Sequence, residues 1–366
     1  MITPLSILIS FSGISELPLE TLTLPPSYKI EVVAKAPNVR QLALAKDGTL
    51  FAGSRRAGNL YGFIDQDKDG IYEQTLILAT KLNMPSGIAV KGNDLYVAEV
   101  SRILRYKEVL PLKPSSTPTP EIYYDKLPDK THHGWKYLKF GPDEALYFNI
   151  GAPCNICLPE QPFATIMKLD NHKNTTLIAQ GVRNSVGFAW NPLNQQLWFT
   201  ENGRDHLGDD QPSDELNHVT DNGEHFGYPF FHAQGLADPK YGKKQYTDQQ
   251  PLSYTPAAYK LGAHVAPLGM TFSVNASTEA QQTLYIAEHG SWNRSQKVGY
   301  RVVELQIKNN KVISHKPFIS GWLKNEKYWG RPNDIIETPE GSLLISDDHA
   351  GVIYRLSRIE KAVDIK

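Results

Sequence analysis

The sequence predicts an all-β chain folded as a six-bladed β-propeller, with an insertion after the core strands of the fourth blade. Three observations carry that prediction. One turn-and-strand pattern recurs six times along nearly the whole chain. Each copy is flanked by further β-type segments, and the composition favours strands and turns over helices, with 6 Trp, 18 Tyr and 13 Phe beside 27 Gly and 25 Pro in 366 residues.

The six copies are KDGTLFAG, KGNDLYVAE, GPDEALYFNIG, NPLNQQLWFTENG, EAQQTLYIAEHG and TPEGSLLISDD. Their leucines, Leu50, Leu95, Leu146, Leu197, Leu284 and Leu343, are separated by 45, 51, 51, 87 and 59 residues. Four of these intervals fit one supersecondary unit of roughly 40–60 residues, the size of a four-stranded blade. Copies are preceded by segments such as RQLALA, GIAV, WKYLKF, VGFAW and NDIIE, and followed by GNLYGFI, RILRYK, TIMKLD, YRVVEL or VIYRLS. Strand, turn, strand, loop, strand is a meander, which builds an antiparallel blade. The early strand YKIEVVAKA is expected to complete the last blade, closing the ring and leaving few free edges. The 87-residue interval implies an insertion from roughly Asp205 to His264, whereas PLKPSSTPTP at 111–120 reads as an inert connection. A β-sandwich with a second domain is disfavoured, because no composition shift marks a boundary. Residues 1–23 are expected to be an extension and 24–366 the propeller.

Composition excludes several functions. Lys and Arg number 38 against 39 Asp and Glu, so the basic excess of a nucleic-acid binder is missing. No apolar run reaches the eighteen or so residues of a membrane-spanning helix. The opening MITPLSILISFSGIS has no Lys or Arg before its apolar stretch and makes a poor export signal. A trimmed signal gives the same appearance, and a periplasmic or secreted location is the expectation. Cys154 and Cys157 form one C-x-x-C with no histidine after it, which excludes covalent haem attachment and is too few ligands for structural zinc. A local disulfide is the preferred reading and two free thiols the alternative. No G-x-G-x-x-G opens a helix after a strand, and no P-loop or G-x-S-x-G occurs.

Residues just before each innermost strand gather at one mouth of a propeller. They are Arg40, Ser86, His133, Arg183 with Asn184, His264 and Arg331, and the next strand ends add Glu99, Asn202, His289 and Asp348. Arginines and histidines around a funnel suit an anionic ligand, since guanidinium groups pair carboxylates bidentately. His133, beside Gly134, is a candidate general base, although composition alone does not separate it from His132. Asp65, Asp67, Asp69 and Gly70 open like a calcium loop, with Glu73 at the ninth position but Leu76 at the twelfth. A structural Ca²⁺ site and a solvated acidic turn are both open readings. The stretch 200–218 concentrates Asn202, Asp205, Asp209, Asp210, Asp214 and Glu215, either an oxygen-rich Ca²⁺ loop or the exposed start of the insertion.

With HHGWKYLKFGPD, GAPCN, GVRNSVGFAWNP, LWFTENGRDHLGDD, HVAPLGM, AEHGSWNR and WGRPND in this order, the chain resembles the soluble PQQ-dependent sugar dehydrogenases, in particular their sorbosone dehydrogenase-like branch. The resemblance runs from about Leu24 to the last repeat. It implies a six-bladed propeller holding pyrroloquinoline quinone (PQQ) and Ca²⁺ at its mouth. It further implies that His133 is the general base, that Arg183 and Asn184 hold the cofactor, and that Asn202 contacts it. Backbone carbonyls of Gly203 and Arg204 would bind the cofactor's Ca²⁺, and Arg331 a carboxylate. Lys297 and Arg294 are both candidates for the cofactor lysine. Three departures stand out: Ala152 falls where glucose-oxidising members have an Asp supporting the base, Asn333 falls where a second arginine is common, and no lysine matches unambiguously. The implied reaction passes hydride from a sugar or hydrated aldehyde to the quinone, and electrons onward to an external acceptor. Two rivals are a Ca²⁺-dependent propeller lactonase, drawing on Glu99, Asn184 and Asp348, and a non-catalytic binding propeller.

Overall fold

A computed structural model describes residues 17–242, 253–278 and 280–359. The stretch read as a poor export signal lies outside the described residues. Six antiparallel sheets form the blades of a closed propeller. Blade one comprises Val39–Leu44, Leu50–Ser54, Leu60–Ile64 and Gln74–Ala79; blade two comprises Gly87–Lys91, Asp94–Ala98, Ile103–Tyr106 and Pro120–Tyr124. Blade three is built from Leu138–Phe140, Leu146–Ile150, Thr165–Leu169 and Thr175–Gln180; blade four from Phe188–Trp190, Leu197–Glu201, Ser213–His218 and Tyr259–Ala263. Pro267–Ser273, Gln282–Glu288, Arg301–Lys308 and Lys311–Ile319 make blade five. Blade six joins Pro332–Glu337, Leu343–Asp347 and Val352–Arg358 to the early strand Tyr28–Lys35, which pairs antiparallel from Tyr28↔Arg358 to Lys35↔Val352. The chain's first strand thus closes its last blade.

The repeated leucines mark each blade's second strand, and these strands are buried along their whole length. The reason is that both faces of every blade are covered. Six apolar clusters fill the six gaps between neighbouring blades; Phe51 and Leu60 meet Ile88 and Val97 between blades one and two, and Trp198 meets Phe272 and Leu284 between blades four and five. Side chains of this size each contribute roughly 1.5–3 kcal/mol on burial, so the sequence shows unbroken apolar runs instead of alternation.

Near the axis the innermost strands approach closely. Gly187 faces the Leu268 carbonyl of the next blade, and a Cβ there would overlap it. Gly187→Ala is therefore expected to destabilise by about 1–3 kcal/mol through overpacking, read as a lowered thermal midpoint with the blade pattern retained by circular dichroism. Polar side chains tie the ring together. Gln41 Oε1 accepts from the Ile88 and Leu138 amides at 3.0 and 2.9 Å, and Asp334 Oδ2 accepts from Leu42 N at 2.8 Å. These bonds link blades one, two, three and six across the channel.

The long interval resolves into parts. Ser213–His218 and Tyr259–Ala263 are the third and fourth strands of blade four, so the excursion proper runs between them. It sends Glu224–His225 back to pair in parallel with Thr175–Gln180 as a fifth strand of blade three, and carries a short hairpin of Phe231–His232 and Leu236–Ala237. Residues 243–252 of the insertion lie outside the described residues. Before the first strand, Leu17, Leu19, Leu22 and Leu24 pack against the cluster between blades five and six.

Candidate active site

Loops at one end of the ring surround a cavity of about 800 Å³ lined by residues from all six blades and the loops joining them. Arg40, His133, Arg183, Asn184, Asn202, Gly203, His264, His289, Lys297 and Arg331 line it, so most of the residues expected at the mouth do meet there. Positions far apart in the chain converge because each precedes an innermost strand or ends the strand beside it.

His133 is fixed from two sides. A side chain at Gly151 would lie 2.5 Å from the His133 Cβ, so this glycine lets blade three bring the two loops together. The His133 Nδ1 lies 2.9 Å from the Ala152 carbonyl, which can only accept, so Nδ1 carries the hydrogen and Nε2 keeps its lone pair. Where the resemblance places an aspartate, a backbone carbonyl orients the ring. Burial first, then the Arg183 and His132 charges, push His133 well below the ordinary 6.5 of imidazole. His132 is exposed, with its ring centroid 4.1 Å from that of His133. Position separates the two histidines that composition left equivalent.

Arg183 is buried and held on three sides. Its Nε donates to the Asn155 carbonyl at 2.9 Å and Nη2 to Asn155 Oδ1 at 2.7 Å, while Nη1 donates to the Asn202 carbonyl at 3.1 Å. Nη2 also reaches Asp205 Oδ2 at 3.2 Å. Beside it, Asn184 Oδ1 is buried without a hydrogen-bond partner and faces a polar cavity. Gly203 N–H donates to Asp214 Oδ1 at 2.7 Å, and burial raises the Asp214 carboxyl to about 7.

Across the cavity, Asp348 gathers two guanidinium groups and one imidazole. Arg40 Nη1 approaches its Oδ2 at 2.7 Å, while Arg331 Nη2 and His289 Nε2 approach Oδ1 at 3.0 and 2.9 Å. Burial alone would raise this carboxyl, but His289, Arg40 and Arg331 hold it far below the usual carboxylate range. Asn333 is buried outside the lining. With its amide oxygen turned to the guanidinium, it accepts from Arg40 Nη1 at 2.9 Å. Where a second arginine is common in the family resembled, Arg40 of blade one supplies a guanidinium and Asn333 braces it.

Sequence reasoning missed Arg55, Arg56 and Trp135. Arg55 follows the second strand of blade one, a position equivalent to Asn202, so the repeat offsets held a signal for it. Its guanidinium lies 3.7 Å over the Trp135 ring, and burial together with Arg40 and Arg56 pushes it down to about 10. The lining therefore carries Arg40, Arg55, Arg56, Arg183, Arg331 and Lys297 against Asp205 and Asp214, a surplus that favours an anion.

Other expected residues lie apart. Arg294 turns away to Asp210 Oδ1 at 3.0 Å, and the Arg204 side chain to Asp238 Oδ2 at 2.8 Å. Lys297 lines the cavity, 3.7 Å from Glu326 Oε2. Ser86 is buried outside the lining, and Glu99 pairs with Arg102 and the Asn83 amide. Asp65, Asp67, Asp69 and Glu73 bring ligand oxygens within 4.8 Å of one another, on a turn at the opposite end of blade one. Its own amides already occupy some of those oxygens, Gly70 N donating to Asp65 at 2.8 Å and Ile71 N to Asp69 at 2.7 Å. Cys154 and Cys157 form a disulfide beside Asn155.

The family model described as TrAA12-like matches residues 164–358. An uncharacterized protein of Borreliella burgdorferi is 34% identical, with 97% of this chain and 96% of that protein covered. A pyrroloquinoline quinone-dependent sugar dehydrogenase of Hypocrea jecorina is 30% identical over 145 residues, covering 32% of this chain and 33% of that protein. Among solved structures, the holo form of the PQQ domain of a pyranose dehydrogenase from Coprinopsis cinerea superposes with a TM-score of 0.77. It is 17% identical and covers 92% of this chain and 97% of its own, a likeness of fold.

Proposed function

The chain belongs to the TrAA12-like family, and from that membership and the chemistry of the cavity we propose that it is a PQQ- and Ca²⁺-dependent dehydrogenase oxidising sugars or sugar-derived aldehydes. The observation that carries the reading is the convergence of a base with a free Nε2, a clamped guanidinium and five further cationic side chains on one cavity. A tricarboxylate quinone fits this donor set in charge. The space lies within the roughly 300–1,000 Å³ of small-molecule sites.

Arg40, Arg55, Arg331 and Lys297 would pair the cofactor's carboxylates, with Asn184 Oδ1 and Asn202 supplying polar contacts. Gly203 and Arg204 would offer backbone oxygens to Ca²⁺, near the Asp205 and Asp214 carboxylates, a hard-oxygen set suited to that ion. When bound, PQQ supplies a two-electron quinone acceptor whose carbonyl Ca²⁺ polarises. Arg183 adds a guanidinium whose direction is set before substrate arrives. His133 Nε2 takes the substrate hydroxyl proton, while Ala152 steadies the imidazolium that forms. A sorbosone-like substrate is the finer reading that the sequence motifs support. The Cys154–Cys157 disulfide supports a periplasmic or secreted location, and electrons leave to an external acceptor.

The lactonase rival loses two of its ligands in this geometry, because Glu99 and Asp348 are already engaged by arginines. The test is to add PQQ and Ca²⁺ to the apo-protein and follow dye reduction with aldoses and sugar aldehydes. Reduction that needs both additions supports the reading, and lactone hydrolysis without PQQ overturns it. The pH dependence provides a second check. A base held well below 6.5 is already neutral near pH 7, so kcat/KM should rise with pH along an acid limb below 6.5 and stay level through neutrality.

A further inference from the structure

We infer that the disulfide-bridged segment from Cys154 to Cys157 is a clamp that positions Arg183, with Asn155 as its positioning residue and the disulfide as its redox-sensitive clip. The inference rests on the reading of Arg183 as the group that holds the cofactor and polarises it. A guanidinium has five N–H donors. Two of them end on Asn155, through its carbonyl at 2.9 Å and Oδ1 at 2.7 Å, one on Asn202 and one on Asp205. One Nη1 hydrogen is left for a ligand, so the direction of that last donor depends largely on where Asn155 stands.

Asn155 belongs to no strand. Its place comes from the bridge on either side of it and from Tyr228, whose hydroxyl accepts from Cys157 N at 3.0 Å and lies 3.3 Å from Cys154 Sγ. The Asn155 side chain also locks Asp205, accepting from its amide at 2.9 Å and donating to its carbonyl at 3.3 Å. The same loop begins at Ala152, which accepts from His133 and donates to the Arg183 carbonyl at 2.8 Å. One short loop therefore aligns the base and the guanidinium together. A dithiol reductant would deliver two electrons and two protons to the bridge, leaving two thiols and becoming a disulfide itself. The segment then regains conformational freedom and Asn155 loosens its hold.

The experiment uses the full-length apo-protein and two readouts. The first is the rate at which phenylglyoxal modifies Arg183, followed by peptide mass spectrometry. Modification should be slow in the oxidised wild type and roughly tenfold faster after dithiothreitol, in the C154S/C157S variant and in Asn155→Ala, as one charge-assisted hydrogen bond is lost. Asn155→Asp, which still presents an oxygen to Nη2, should restore most of the protection. The second readout is calorimetric titration with PQQ and Ca²⁺, where the same loosened forms should bind roughly tenfold more weakly. Equal modification rates in oxidised, reduced and Asn155→Ala protein overturn the clamp. If the oxidised wild type binds no PQQ, the functional reading falls, and the modification rates still judge the clamp.

Discussion

Replacing His133 by alanine is expected to lower turnover about 10²–10⁴-fold, the usual worth of a positioned general base, while affinity for PQQ stays within about threefold. The separation follows from the geometry. The imidazole is tied to the Ala152 carbonyl through Nδ1 and does not pair with any of the arginines that would grip the cofactor. Its removal deletes a proton acceptor and leaves the anion-binding side chains in place. His132→Ala is the matched control. That ring is exposed and should cost turnover little, although it would relieve one charge that depresses His133. Steady-state kinetics with a saturating dye, alongside PQQ titration by tryptophan quenching, reads both quantities. A variant that keeps its turnover, or loses PQQ instead, removes His133 from the role of base.

How much of this was legible in the sequence depended on what kind of force fixed each feature. Blade number and order were readable because burial on both faces forces the same apolar run at Leu50, Leu95, Leu146, Leu197, Leu284 and Leu343. Ring closure by Tyr28–Lys35 was readable because a last blade with three strands needs a fourth. The mouth residues followed from their offsets within the repeat. What stayed hidden were contacts between blades that no local pattern encodes. Nothing near Arg55 in the sequence announces that Trp135 will lie beneath it, or that Asn333 will brace Arg40. The excursion from blade four was visible as extra length, but its return to blade three as a fifth strand was not. A two-residue parallel pairing leaves no periodicity to read.

Asp348→Asn is expected to destabilise the protein by about 3–5 kcal/mol, the usual consequence of leaving buried charges without their counterion. The carboxylate is buried and touches Arg40, Arg331 and His289 at once, so one substitution strands a fully buried guanidinium as well as its two neighbours. The pH dependence has a definite sign. Because the folded carboxyl is held far below the unfolded value, the unfolded state binds more protons in acid, and stability rises with pH through that window. The contribution is complete above about pH 4 and is lost only as pH falls towards the folded value, so the gap between wild type and variant should be full at neutrality and shrink only in strong acid. Denaturant unfolding at several pH values measures it. The same substitution makes the cavity more cationic, since Arg40 and Arg331 lose the anion they share. An added small polycarboxylate such as citrate should therefore raise the variant's thermal midpoint more than the wild type's, by mass action on the folded state. If citrate shifts both equally and the midpoints already coincide without it, Asp348 is not the counterion that keeps these guanidinium groups folded beside one another.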